Sequence, residues 1–140
     1  MEVFLKPALD WEFAESLTKA NMAEYYQRYD ISWDSEMFAD SWKNLDNFEV
    51  YAYGERVGVI RFSYADTTTY LRDFQLIKSA QGMGIGTTCL TLVKKHAKQH
   101  NSAEVALRVF PDNPAVSLYK RADFLESGIF GNVIEMRCSL

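Results

Sequence analysis

Cysteine, proline and histidine are scarce in this 140-residue chain, at two, three and two residues. Cys89 and Cys138 form neither a CxxC pair nor a disulfide-dense framework, so both read as thiols. No apolar run approaches the about 18 residues that a membrane helix needs. The start, Met1-Glu2-Val3-Phe4, lacks a basic stretch with an apolar segment behind it, and the expectation is a soluble, cytoplasmic protein. There is no excess of positive charge either. A net charge of −4 argues against nucleic acid or an anionic membrane as the main partner. No repeat, low-complexity tract or Pro/Gly-rich linker divides the chain, so residues 1–140 read as one domain, and 48% hydrophobic content suffices for a core.

What the chain does have is a concentrated run of glycine, Gln81-Gly82-Met83-Gly84-Ile85-Gly86. Glycines at alternate positions leave the backbone bare, so successive N–H groups can approach an anion that a Cβ would hold off. A helix starts directly afterwards, at Thr87 and beyond, and its free N–H groups and positive dipole end favour phosphate. Two familiar nucleotide motifs do not fit. A P-loop needs Lys then Ser/Thr after its last glycine, where this chain has Thr87-Thr88. The dinucleotide fingerprint needs glycine where Thr87 stands, and it opens a βαβ unit rather than following so much other chain.

Patterning gives an element order of strand, helices, strands, helix, strand, helix, strands. Val3 to Leu5 is a short first strand. Asp10 caps a helix reaching Arg28 with Trp11, Leu17 and Tyr25 among its apolar positions, and Asp34 caps a second over Ser35 to Lys43 with Phe38 and Trp42 on one face. Phe48 to Tyr53 and Val57 to Tyr64 flank Gly54-Glu55-Arg56 as a hairpin. Thr69 to Ile77 leads into the glycine turn, and Ile85, Cys89, Leu92, Val93 and His96 share one face of the following helix, which ends near Asn101. Val105 to Phe110 is a strand, Asn113 and Pro114 open a helix to about Ala122, and Val133 to Arg137 closes the sheet.

The segment from Thr69 to Phe124 resembles the core of the GCN5-related N-acetyltransferase (GNAT) superfamily. The glycine run matches its acetyl-CoA signature, and Asn113, Leu118-Tyr119 and Asp123-Phe124 match a second. The resemblance implies an α+β fold: a mixed, mostly antiparallel sheet of six or seven strands, in which Thr69 to Ile77 and Val105 to Phe110 run parallel and splay apart. It implies that N–H groups of Gln81, Gly82, Met83, Gly84, Ile85 and Gly86, with Thr87 at the helix start, hold the CoA pyrophosphate. Leu76 then offers its backbone to the pantetheine arm and the acetyl carbonyl, Asn113 lies against the pantetheine, and Tyr119 is the general acid. A phenol with an ordinary pKa of about 10 is protonated at neutral pH and can donate to a departing thiolate.

The base that deprotonates the acceptor amine is less defined; Asp73 is preferred over Glu24, Asp30, Asp34 and Glu36, and an ordinary strand-edge charge is its structural reading. One departure is local: Asp123 stands where the family has a glycine at positive φ, which puts that helix end under strain. The expected activity is transfer of acetyl from acetyl-CoA directly to a primary amine of a small molecule or peptide. A non-catalytic acyl-CoA-binding or regulatory module is the alternative, and a homodimer is left open. Tyr25, Tyr26, Tyr29, Trp33 and Trp42 among Glu24, Asp30, Asp34, Glu36 and Asp40 suit a cationic amine, or else form the core between two helices with the acids in water. Lys94, Lys95 and Lys98 read as a solvated face or as partners of the CoA 3′-phosphate. His96 and His100 have metal-pair spacing, but Ala97 replaces the HExxH glutamate and no third ligand is evident, so no metal is expected.

Overall fold

The structure, a computed structural model, describes residues 2–140. Its elements are β1 (Val3–Pro7), α1 (Trp11–Arg28), α2 (Ser35–Asn44), β2 (Asp46–Ala52), β3 (Glu55–Ala65), β4 (Thr68–Leu76), α3 (Ile85–Gln99), β5 (Glu104–Val109), α4 (Ala115–Arg121), β6 (Leu125–Phe130) and β7 (Val133–Ser139). A short 3₁₀ turn, Lys78–Ala80, links β4 to the glycine run. The seven strands form one sheet in the order β1-β2-β3-β4-β5-β7-β6, antiparallel throughout except for β4 with β5.

The caps expected of α1 and α2 are present. Asp10 accepts from the N–H of Phe13 at 3.1 Å and Asp34 from that of Met37 at 3.0 Å. The hairpin turn is tighter than its sequence suggests: Tyr53 and Gly54 both have positive φ, 55° and 77°, so β3 begins at Glu55. Two consecutive left-handed residues match the twist of the flanking strands. Trp11 departs from expectation, being 49% exposed, because Ala14 and Thr18 are the residues of α1 that press on the sheet. β6 has no counterpart in the sequence reading; it is an exposed edge strand with a bulge near Ser127, and neither feature leaves a clean alternation.

Alternation along β3 divides the two faces. Ile60 and Phe62 point into the main core with Leu71, Cys89, Leu90, Val93 and Val105, under α3. Val59 points the other way, into a smaller cluster with Ala14 and Phe38 from α1 and α2. Arg61 shares that second face and is 2% exposed.

The parallel pair separates as the resemblance implies. Pairing between β4 and β5 runs only from Thr68 with Glu104 to Leu71 with Leu107, while β4 stays paired with β3 to Leu76. The divergence begins at an extra residue: Phe62 opposes Leu71 and Arg61 opposes Asp73, so Arg72 is bulged. A bulge bends its strand and sharpens the twist, which turns the end of β4 away from β5.

Candidate active site

Beyond Leu71 the gap between β4 and β5 opens into a cleft of about 1040 Å³, lined by both strands, α1, α2, the glycine run and α4. Of the residues expected at a site, Asp73, Leu76, Gln81, Gly82, Gly84, Gly86, Thr87, Asn113 and Tyr119 line it. Met83 and Ile85 do not. Met83 is 54% exposed, and the Ile85 side chain is in the main core, so each has only backbone to offer the cleft.

The floor of the cradle is the start of α3. Gly84, at φ 80°, is its N-cap residue, and no side chain caps the helix. The other three α-helices start differently, with Asp10, Asp34 and Asn113 accepting from their first turns. In α3 the first helical bond runs from the N–H of Thr88 to the carbonyl of Gly84, leaving the N–H groups of Ile85, Gly86 and Thr87 without an intrahelical partner. Gly82 also has positive φ, 74°, and a Cβ built there meets nothing within 4 Å, so it faces open space. Gly86 has a different reason to be glycine: a Cβ there would lie 3.0 Å from Cδ2 of Leu118 on α4. Two glycines thus hold positive φ beside a helix start with unshared N–H groups, an arrangement suited to an anion, and the third lets α4, with Tyr119, pack against α3.

Leu76 has its backbone turned into the gap. The N–H of Ile77 bonds the carbonyl of Val57 at 2.8 Å, so by antiparallel alternation the backbone polar groups of Leu76 point away from β3. Its carbonyl confirms the direction, accepting from Nδ2 of Asn21 and Nε2 of Gln81, both at 3.0 Å. The Leu76 N–H shares this orientation, in the region that β5 has left. Gln81 therefore acts here through its side chain, bracing the end of β4. Asn113 accepts from the N–H of Ala115 at 2.9 Å, so it caps α4 at the cleft wall.

Tyr119 is 7% exposed, and burial pushes its phenol well above the ordinary range, with the charge of Asp73 adding to the effect. Asp73 also raises Tyr26, after burial, so the carboxylate and both phenols share one part of the cleft. The Asp73 carboxylate is held on one side by Arg61, Nη1 to Oδ2 at 3.0 Å, and on the other by Nε2 of Gln75 at 3.2 Å. Burial pushes Asp73 above the ordinary carboxylate range, opposed by Arg61 and the hydrogen bonds.

Arg61, absent from the sequence reading, is the hub behind the site. Its Nε donates to Asn47 at 2.9 Å and its Nη2 to Ser41 at 2.5 Å, and the guanidinium lies over the rings of Phe38 and Trp42. The signal was there: a lone arginine between Ile60 and Phe62 in an apolar strand needs a buried partner.

Along the α1 side of the cleft, Phe110 is stacked on Tyr25 and Tyr29, at 5.6 and 4.7 Å, with Tyr26 edge-on. Asp112 takes a hydrogen bond from Tyr29 at 2.9 Å and pairs with Arg28, fastening the end of α1 to the loop after β5. The acids Glu24, Asp30, Asp34, Glu36 and Asp40 are exposed, and of these Glu24 and Asp34 border the cleft. Lys94 is not part of a free basic face: its Nζ donates to the carbonyl of Ala122 at 2.5 Å.

A sheet whose one parallel pair splays over a helix start with unshared N–H groups defines an acyl-CoA-type transferase fold. The family model for the GNAT acetyltransferases matches residues 9–124, and the chain belongs to that family. Solved structures agree on the fold. PaiA N-acetyltransferase from Thermoplasma acidophilum, in complex with coenzyme A, is 18% identical with a TM-score of 0.72, each chain covering 100% of the other. IAA acetyltransferase from Bacillus cereus is 14% identical with a TM-score of 0.76, over 99% of this chain and 100% of that one. The ribosomal-protein-S18-alanine N-acetyltransferase of Escherichia coli is 16% identical with a TM-score of 0.69, over 99% and 94%. No curated protein matches the chain in sequence. Among the described residues no helix is long and apolar enough to cross a membrane.

Proposed function

We propose that the protein transfers an acetyl group from acetyl-CoA directly to a primary amine of a small molecule or peptide. The observation that carries this reading is the continuous path in one cleft from the unshared N–H groups of α3, past the inward-turned backbone of Leu76, to Tyr119. The coenzyme A in the Thermoplasma acidophilum structure supports the donor. The S18-alanine enzyme shows that a protein amine can be the acceptor on this fold.

Acetyl-CoA supplies the thioester. In the proposed mechanism the N–H groups of Gly82 to Gly86, with Thr87, hold the pyrophosphate, Asn113 flanks the pantetheine, and the Leu76 N–H faces the thioester carbonyl; the Gln81 N–H, expected among these donors, is already bonded to the carbonyl of Lys78 at 3.1 Å. As the neutral amine adds, negative charge develops on that oxygen, and a fixed N–H stabilises it. Asp73, through a water, takes the proton that the attacking nitrogen sheds. Its raised pKa suits a proton acceptor better than an ordinary carboxylate would. Collapse of the adduct breaks the C–S bond, and Tyr119 gives its proton to the departing sulfur. Amide and CoA thiol are the products, with no covalent enzyme intermediate.

The test is acetyl-CoA turnover against a broad amine panel, read by thiol release, with CoA affinity measured beside it. Turnover on a primary amine supports the reading. CoA binding without turnover on any amine makes the protein a binding or regulatory module, and preference for ATP or NAD over CoA removes the cradle assignment.

A further inference from the structure

On the opposite side of the sheet from Arg61, under the C-terminal turn of α3, lies a second cluster of polar groups, none of which lines the cleft. Asp46 at the start of β2, His96 and His100 each present one ligand atom, and all three atoms lie within 4.8 Å of one another. Asp46 is the third group that the two histidines lacked in sequence, brought in because it pairs with Phe62 on β3, directly under His96.

We propose that Asp46, His96 and His100 bind one divalent transition-metal ion of the zinc type, with water completing an open site. The donor set of two imidazoles and a carboxylate is one that zinc, cobalt and nickel accept. Bonds of about 2.0–2.1 Å in a tetrahedron put ligand atoms about 3.3–3.4 Å apart. Nε2 of His96 is already 3.8 Å from Oδ2 of Asp46. His100 is exposed at the helix end, its ring stacked on that of Tyr64 at 4.3 Å.

The surroundings orient the ligands. The His96 ring is stacked on Phe62 at 4.3 Å and met edge-on by Phe48 at 5.1 Å, which points Nε2 towards Asp46. Nδ1 of His100 lies 3.2 Å from the carbonyl of His96; donating there places its proton on Nδ1 and leaves Nε2 as a lone-pair ligand.

At present the Tyr64 hydroxyl bridges the gap, 2.5 Å from Oδ2 of Asp46 and 2.6 Å from Nε2 of His96. A phenol has one proton, so with Asp46 as its acceptor the other contact is Nε2–H of His96 donating to the phenol oxygen. An entering cation takes the place of that Nε2 proton, which moves to Nδ1 of the same ring, and the phenol swings aside. The ion would then tie the last turn of α3 to β2 and β3.

The test uses the full chain without a polyhistidine tag, stripped with a chelator and titrated calorimetrically with zinc chloride. Cobalt(II) absorption reports tetrahedral geometry and thermal unfolding reports the stabilisation. One equivalent binding in the micromolar range is expected, weakened at least about tenfold by His100→Ala and by Asp46→Asn. Both variants alter surface groups and retain Tyr119, so acetyl transfer should be unchanged. Affinity that is millimolar or weaker in the wild type, or unchanged in both variants, overturns the proposal. Weakening in only one variant also overturns it, reducing the site to a bare histidine pair or a lone carboxylate contact.

Discussion

Arg61 and Asp73 face each other across β3 and β4, Nη1 to Oδ2 at 3.0 Å, beside the bulged Arg72 that sends β4 away from β5. The ion pair thus sits where the sheet opens. Arg61 is 2% exposed, so its removal would leave a largely buried carboxylate without its cation. Arg61→Met should destabilise the fold by about 3–5 kcal/mol, read from urea unfolding at neutral pH. Asp73→Asn in the same background should recover part of that loss. If the double variant is as unstable as the sum of the singles, the two residues are not coupled.

Asp73 also sets a pH signature. Its pKa is higher in the folded chain than in the unfolded one, because burial outweighs Arg61. Between the two values the folded state holds the extra proton, so the stability from this group is fully present below the unfolded value of about 3.9 and falls as pH rises through the folded value. Wild type should therefore lose stability relative to Asp73→Asn as pH rises across that window. Denaturant midpoints at a series of pH values measure it; a difference running the other way would mean that the attraction of Arg61 dominates burial.

At the end of α4 the chain accepts a local cost. Asp123 has φ 72°, and the bonds from the N–H of Phe124 to the carbonyl of Tyr119 and from that of Asp123 to Lys120 form a Schellman end, where glycine fits best. Asp123→Gly removes both the left-handed strain and a negative charge at a helix C-terminus. It should raise stability by about 0.5–1 kcal/mol and Tm by about 3 °C, with acetyl transfer unchanged. A lower Tm would show that the Asp123 carboxylate makes a stabilising interaction.

The cradle is tested at Gly84. Gly84→Asp puts bulk and negative charge where the N–H groups of Ile85, Gly86 and Thr87 are unshared, and should abolish measurable acetyl-CoA binding. Gly84→Asn, nearly the same shape and tolerant of positive φ, separates charge from strain and should bind weakly. Unchanged affinity in a folded Gly84→Asp variant would remove the cradle.

Where the chain was legible, local chemistry and tertiary role coincided. Asp10 and Asp34 are caps in sequence and in structure, and the glycine run marks its helix start because two of its glycines need positive φ. Four features resisted for physical reasons. β6 is exposed on nearly every residue, so no buried face imposes a period of two. Gly86 answers to Leu118, a contact more than thirty positions away that no local pattern encodes. Asp73 reads as a strand-edge charge until Arg61, on the neighbouring strand, shows what holds it. The two histidines likewise gain Asp46 only through the pairing of β2 with β3.

Tyr119→Phe separates acid catalysis from packing. The ring is buried among the main core residues, tilted against Phe124 at 5.8 Å, and phenylalanine keeps all of that contact. Acetyl-CoA affinity should therefore stay within a few-fold. The phenol is pushed above its ordinary range, so it is protonated across the working pH and donates to sulfur only as the C–S bond breaks. Loss of an interaction confined to the transition state lowers kcat, here by about 10²- to 10⁴-fold, without weakening substrate binding. Slow product release would hide part of the effect, so the measurement is single turnover at saturating acceptor between pH 6 and 9. If the variant matches wild type across that range, Tyr119 is a packing residue and the thiolate takes its proton from water or another group.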